Sequence, residues 1–304
     1  MAGTPAARVG LTSIVVVAAD SGPLLGTCID SALASTVPVE IILVDNASSD
    51  GQIERIVEQH HGDVRLRVMR NGTNLGFGPA VNRGAVHAQG DVLLVLNPDC
   101  QLQAPTVARM RALLSADVTI GLLGVNVRTP DGHPARGNRR RDPTLRRAVL
   151  EMSGLARLER HFPLLAGVEV RGPIDRASEL DGVDAVSGAC MMLPWEVFDQ
   201  VGGFDEAYFL HVEDLDLCRR VRDAKKRVAI ANAIDVVHAQ GSSSRKRPLF
   251  VMLHKHRGMW RYFNKFDSAA RNPLWRTLVA VGLTAHAAAT AIVYGVRRSS
   301  SRNG

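Results

Sequence analysis

With 304 residues, 46% of them apolar and 22% charged, the chain can bury a large core, and its composition excludes a disordered protein. Four scattered cysteines (Cys28, Cys100, Cys190, Cys218) form no CxxC pair, which argues against a zinc site or a disulfide framework and fits a reducing compartment. The net charge of +7 is uneven: residues 241–304 hold twelve Lys/Arg against a single acid, Asp267, so a slightly acidic body carries a strongly basic tail.

The opening MAGTPAARVGLTSIVVVAAD has too short an apolar run for a secretory signal and no clear cleavage site, which argues against export. SIVVVAA (13–19) reads as a buried strand, LLGTCIDSAL (24–33) as a helix and EIILVD (40–45) as a second buried strand. SSDGQIERIVEQH (48–60) reads as a helix opened by Ser/Asp capping residues, with Asp50 in the capping role. VRLRVMR (64–70) alternates like a strand, NLGFGPAVNRGAVHAQG (74–90) reads as a glycine-bearing helix, and DVLLVLNPD (91–99) as a buried strand. Continuous apolar runs separated by helices predict a mainly parallel sheet covered on both faces. The basic, Gly/Pro-interrupted segment 131–147 reads as a long loop, and RVAIANAIDVVHAQG (227–241) as strands. The main domain is placed at 10–241 and a basic helical region at 242–304.

That C-terminal region ends in an apolar run of about 19 residues from Leu278, close to the ~20 needed to span a bilayer and flanked by Trp275, Arg276, Tyr294 and Arg297. Rich in Ala, Gly and Thr, it leaves three readings open: a helix on or shallowly in a membrane surface, a true span, or a helix packed on the protein. Between Arg245 and Arg276, nine Lys/Arg alternate with Phe250, Trp260, Tyr262 and Phe263, a pattern that fits anionic headgroups.

Asp45 and Asp99 fall at the carboxyl ends of buried strands and Asp20 just beyond another, where ligands bind in open α/β sheets; capping of the next turn is the competing reading. Pro98 cannot donate to a sheet ladder, so strand pairing ends there and Asp99 sits on a stiff turn. A hard cation needs few protein carboxylates when phosphates and water complete its shell, so Asp99 is a candidate ligand. In FLHVEDLDLCRR (209–220), Val212, Leu215, Cys218 and Val221 recur every third residue, predicting a helix from about 213 with one buried stripe. Asp216 has Arg219 and Arg220 at +3 and +4, a surface ion-pair spacing, whereas Glu213 and Asp214 have no base at either spacing. The helix dipole would keep that pair ionised, as a general base requires.

Taken in order, SIVVV, EIILVDNASSDG, RNGTNLGFGPAVNRG, GDVLLVLNPDC, SGACMMLPWEVFDQVGGFDEAYFLHVEDLDLCRR and VVHAQGSS resemble family 2 glycosyltransferases over about residues 12–244, and within them the bacterial rhamnosyltransferase-like branch. The resemblance implies an α/β GT-A fold with a nucleotide-binding half and an acceptor-binding half. It implies a nucleotide-sugar site of Asp20, Asp45, Asn46, Asn74 and Asn97, and a divalent cation, Mg2+ or Mn2+, held by Asp99 and His238. It implies Asp214 as catalytic base with Glu213 beside it, and Gly203, Phe204 and Asp205 shaping the acceptor site. Where the family usually carries a polar Asn/Thr-Tyr-Asn run after the first strand, this chain has Ala18-Ala19-Asp20 and lacks the aromatic.

The implied reaction is an inverting transfer from a nucleotide-diphospho-sugar, dTDP-L-rhamnose before UDP- or GDP-sugars. Its acceptor is a saccharide on a polyprenyl diphosphate, in cell-surface polysaccharide synthesis at the cytoplasmic face of a bacterial plasma membrane. The six arginines from Arg136 to Arg147 suit either the acceptor's pyrophosphate or a solvated loop. A nucleic-acid binder is disfavoured by the acidic body and the lack of a recognised motif. A non-catalytic sugar-nucleotide-binding subunit is the alternative that the Ala18-Ala19 departure permits.

Overall fold

The computed structural model describes residues 7–172, 174–239 and 248–300. Its first half alternates as expected: β1 (Arg8–Ala18), α1 (Leu24–Leu33), β2 (Val39–Asp45), α2 (Gln52–Gln59), β3 (Leu66–Arg70), α3 (Phe77–Ala85) and β4 (Gly90–Leu96). There follow β5 (Cys100–Gln101), α4 (Thr106–Ala116), β6 (Ile120–Arg128), β7 (Arg139–Arg140), α5 (Leu145–Met152), β8 (Leu180–Gly182), β9 (Ala185–Val186) and β10 (Cys190–Pro194). The chain closes with α6 (Trp195–Gln200), α7 (Glu213–Asp223), β11 (Arg227–His238), α8 (Pro248–Phe266) and α9 (Pro273–Ser300).

Among the described residues nine strands form one sheet in the order β3-β2-β1-β4-β10-β6-β11-β5, with β8 also on β11. β3, β2, β1 and β4 are parallel as expected, and β6 is parallel to β11, so the longer pairings of the sheet are parallel. β10 runs antiparallel between β4 and β6, and short β5 and β8 are antiparallel to β11, which makes the sheet mixed; an apolar run such as CMMLP does not encode strand direction. Period-two alternation sends Ile14, Val16, Leu94 and Leu96 into one core and Val15, Val17, Leu93 and Val95 into the other. Both cores are closed by helices, which is why these strands read as unbroken apolar runs.

Three other expectations change. Segment 131–147 is not a loose loop: it contains β7, paired with β9, and the start of α5. Gly51, rather than the Ser/Asp run, is the N-cap of α2, although Asp50 Oδ1 does accept from Gln52 N at 3.2 Å. Among the described residues no helix is long and apolar enough to cross a membrane, so the spanning reading of the tail has no support there. α8 packs on the body through Tyr262 and Phe263, and α9 lies against α8, with His256 Nε2 2.9 Å from His286 Nδ1. Leu274, Trp275, Leu278, Val281 and Ile292 of α9 remain exposed. The proposed boundary at 241/242 and the bases Arg245 to Arg247 lie outside the described residues.

Candidate active site

The site is assembled at the carboxyl ends of β1, β2 and β4. Asp45 ends β2 and is buried; its Oδ1 accepts from Ser48 N at 2.8 Å and its Oδ2 lies 3.4 Å from Arg70 Nη1. Asp20, with φ of 51°, accepts from Ser49 N at 2.7 Å and so ties the loop after β1 to the loop after β2. Asn46 is buried with every hydrogen-bonding capacity filled by protein. Its Nδ2 donates to Asn74 Oδ1 and Gly76 O, and its Oδ1 accepts from Asn71 Nδ2 and Leu75 N. Asn46 and Asn74 therefore hold the NGTNLGFG loop in place beside Asp45.

That loop reaches the opposite side of the site. Phe77 N, at the start of α3, donates to Phe209 O at 2.9 Å. A Cβ on Gly76 would lie 2.5 Å from that same oxygen, so only glycine permits the approach. Phe209 opens the FLHVED turn, in which His211 and Val212 carry φ of 66° and 75°. A β-branched residue in the left-handed region is strained, and here the strain lies immediately before the Glu213-Asp214 pair. Burial of Val212 and the close approach of α8, where a Cβ on Gly258 would lie 3.0 Å from His211 O, hold the turn.

The antiparallel pairing of β5 with β11 sets His238 opposite Cys100 and brings His238 Nε2 to 2.8 Å from Asp99 Oδ1, with Asn97 Nδ2 at 3.3 Å. Asp99, Cys100 and His238 form a cluster of potential metal ligands. Two adjacent ligands on an octahedral cation with ~2.1 Å bonds stand about 3 Å apart, so the Asp99–His238 spacing fits Mg2+ or Mn2+. His238 Nδ1 is buried and has no partner among the described residues, a cost that points to a role beyond packing. Cys100 is a poor ligand, because burial pushes its thiol well up and its Sγ donates to Ala189 O at 3.3 Å.

Asp214 lies one loop away. Asn97 N donates to Ala189 O at 2.8 Å, and Gly188 N donates to Asp214 Oδ2 at 3.1 Å, so the loop between β9 and β10 joins the Asn97-Pro98-Asp99 turn to the Asp214 carboxylate. Asp214 is not without a base: Arg140 Nη2 sits 2.5 Å from its Oδ2. Burial pushes Asp214 up, but the Arg140 charge and hydrogen bond, with the amides of Gly188 and Leu215, outweigh it and leave the carboxyl below its ordinary range. Glu213 goes the other way: burial, and then the neighbouring Asp214 charge, push it up to about 8. The pair is therefore one anion and one neutral acid, not two ionised carboxylates held by the helix dipole.

Asp216 is not a surface residue either. It is fully buried, between Arg220 at 2.5 Å and Lys265 of α8 at 2.6 Å, while Arg219 pairs with Asp142 and Asp223 instead. The segment expected to shape the acceptor site joins helices together. Phe204 is buried edge-on to Phe77, its backbone N accepted by Asn82 Oδ1, and Asp205 pairs with Arg261 and Lys265 of α8. Of the six arginines, Arg139, Arg140, Arg141 and Arg147 pair with Asp181, Asp214, Glu159 and Asp184, and none of these four is a solvated loop residue. Sequence reasoning missed Arg140 and Gly188. The unbalanced charge of the Arg136–Arg147 run was the one available signal, since buried acids elsewhere needed partners.

Residues 13–165 match the profile of Glycosyl transferase family 2, half of the chain, and the protein belongs to that family. It is a glycosyltransferase, similar to bacterial rhamnosyltransferases. A Mycobacterium tuberculosis protein named N-acetylglucosaminyl-diphospho-decaprenol L-rhamnosyltransferase is 28% identical over 287 residues, 90% of this chain and 91% of that relative. The low-salt glycan biosynthesis hexosyltransferase Agl10 of Haloferax volcanii is 25% identical over 66% of this chain and 59% of its own. Two solved structures show the fold to be GT-A. GalNAc-T7 with UDP, GalNAc and Mn2+ has a TM-score of 0.63 at 19% identity, covering 86% of this chain and 50% of that one. The mannosyltransferase PcManGT of Pyrobaculum calidifontis, with GDP-Man and Mn2+, has a TM-score of 0.58 at 16% identity, covering 98% and 82%.

Proposed function

We propose that the protein transfers L-rhamnose from dTDP-L-rhamnose, with inversion, to a saccharide carried on a polyprenyl diphosphate, in cell-surface polysaccharide synthesis. The observation that carries this reading is the tether between the two halves of the site, Asn97 N to Ala189 O and Gly188 N to Asp214. It sets an ionised aspartate beside a turn suited to hold a nucleotide diphosphate. The likeness to the mycobacterial relative along nine-tenths of both chains supports the choice of transferred sugar and of acceptor.

In this reading Asp45 and Asp20 hold the nucleoside end of the donor, on loops that Asn46 and Asn74 keep fixed. Asp99 and His238 hold a divalent cation, which when bound supplies Lewis-acid stabilisation of the departing diphosphate. Asp214 removes the proton of the acceptor hydroxyl as that oxygen bonds to the anomeric carbon. The anomeric C–O bond to the diphosphate breaks on the opposite face, and its electron pair leaves with the diphosphate. The hydroxyl becomes strongly acidic as the new bond forms, so a carboxylate of low proton affinity suffices as base. Direct displacement leaves no covalent enzyme intermediate and inverts the anomeric centre.

The α8–α9 region suits attachment to an anionic membrane surface on the cytoplasmic face. α8 carries the exposed Lys255 and Arg257 among its aromatics, and each base near such a surface adds about 1 kcal/mol. The exposed Leu274, Trp275 and Leu278 of α9 add apolar contact. Titration with dTDP-, UDP- and GDP-sugars, with and without Mn2+ or Mg2+, tests the donor site: metal-dependent binding of dTDP-L-rhamnose ahead of the others is expected. If no nucleotide diphosphate binds in either metal, the reading fails.

A further inference from the structure

We propose that Arg140 is a positioning residue for the transfer reaction: delivered on the β7–β9 strand pair, its guanidinium aims the Asp214 carboxylate and fixes which member of the Glu213–Asp214 pair carries the charge. The inference rests on the reading of Asp214 as base. Four contacts define the carboxylate. Oδ1 accepts from Leu215 N at 2.8 Å and lies 3.5 Å from Arg140 Nη1, while Oδ2 accepts from Gly188 N at 3.1 Å and Arg140 Nη2 at 2.5 Å. Both guanidinium nitrogens thus face one carboxylate, an arrangement that fixes direction as well as charge.

The guanidinium cannot easily turn away. Arg140 Nη2 also donates to Val186 O on β9, and the register places Arg140 opposite Ala185. Its neighbour Arg139 is anchored on the other side by Asp181, Asn126 and Asn232. Among the described residues Arg140 Nε is buried without a partner, and the side chain is held by its two terminal nitrogens. Glu213, by contrast, has a buried Oε2 with no partner, and no base contacts it among the described residues. Two adjacent buried carboxyls cannot both ionise cheaply, and the one that faces the cation takes the charge.

The other ionisable groups around this pair are His211 on the strained turn, Cys218 one turn along α7, Lys255 and His254 on α8, Arg222, and Glu169 beside β7. Burial lowers His211 and raises Cys218, so both are neutral near pH 7. Lys255 acts at longer range through His211, and Arg140 is the cation in contact with Asp214.

The test needs a readout that does not depend on the substrate. Protein labelled with [13C]aspartate is titrated by NMR, the Asp214 carboxyl resonance being assigned by its absence from Asp214→Asn. The proposal expects the midpoint to rise by about one pH unit or more in Arg140→Met, and to move back toward wild type in Arg140→Lys. With dTDP-L-rhamnose and decaprenyl-diphosphate-linked N-acetylglucosamine, the acid limb of the kcat profile should rise by the same amount, with kcat down about tenfold or more and the donor KM within about twofold. An unmoved midpoint in folded Arg140→Met, or in Arg140→Gln should the methionine variant not fold, with Asp214→Asn inactive, overturns the proposal alone. Wild-type transfer by Asp214→Asn overturns the base reading and the proposal with it.

Discussion

Replacing Gly76 by alanine should disable the site without touching any residue that meets substrate. Gly76 precedes α3 with φ of 91° and ψ of 172°, a backbone conformation essentially reserved for glycine, and forcing alanine into it costs about 1–3 kcal/mol. The added Cβ would also lie 2.5 Å from Phe209 O and 2.9 Å from Phe209 Cα, backbone atoms with no flexible end to move aside. Relief must come from separating α3 from the FLHVED turn, which breaks the Phe77 N to Phe209 O bond, worth about 0.5–1.5 kcal/mol. Together these give a destabilisation of about 2–4 kcal/mol. Because Phe209 opens the turn that presents Asp214, a shift of about 1 Å there should lower kcat by roughly 100-fold. Urea unfolding at constant m-value and steady-state transfer kinetics measure the two effects. Gly72→Ala, where an added Cβ meets nothing within 4 Å, is the control and should stay within about 0.5 kcal/mol. A Gly76→Ala protein with wild-type urea midpoint and kcat would refute the coupling of the two loops.

Glu213→Gln should stabilise the fold in a pH-dependent way. The folded protein holds the Glu213 proton up to about 8, whereas the unfolded chain releases it near the usual glutamate range. The wild type therefore loses stability as pH rises from roughly 4.5 toward 8, and glutamine removes that loss, with a gain on the order of a few kcal/mol at pH 8 and none at pH 4. Equal urea midpoints for the two proteins at pH 8 would contradict the neutral Glu213. His238→Ala should weaken Mn2+-dependent dTDP binding by at least the ~10–100-fold that outer-shell partners carry, measured by calorimetry, while metal-free binding stays unchanged. Equal Mn2+ dependence in the variant and the wild type would remove His238 from the cation site.

The parts of the structure that depend on local order were legible in the chain. Apolar runs gave β1, β2 and β4 their places, and acids at their carboxyl ends marked the crevice, because both follow from burial along a few consecutive residues. The β5–β11 pairing that brings His238 to Asp99 joins His238 to Cys100, 138 positions apart, and no periodicity reports it; only the resemblance of VVHAQGSS suggested the histidine. Asp216 was misread because Arg220 four residues on accounts for it locally. What buries it is α8, whose Lys265 is 49 residues away.

Arg140 shows the same difficulty in reverse. A run of arginines reads as solvated because its acids are distant in sequence: Asp214 lies 74 residues on and Asp181 is 42 from Arg139. The split between Glu213 and Asp214 follows from that pairing and from burial, neither of which a helix dipole can report.

The central claim is that Asp214 takes the acceptor proton while the donor is held elsewhere. Single-turnover transfer of rhamnose from dTDP-L-rhamnose, in the presence of Mn2+, by wild type and Asp214→Asn tests it most directly when dTDP affinity is measured on the same samples. The account predicts transfer lowered by at least 1,000-fold, about 4 kcal/mol, with dTDP affinity unchanged within about twofold. Transfer by Asp214→Asn at the wild-type rate would contradict it.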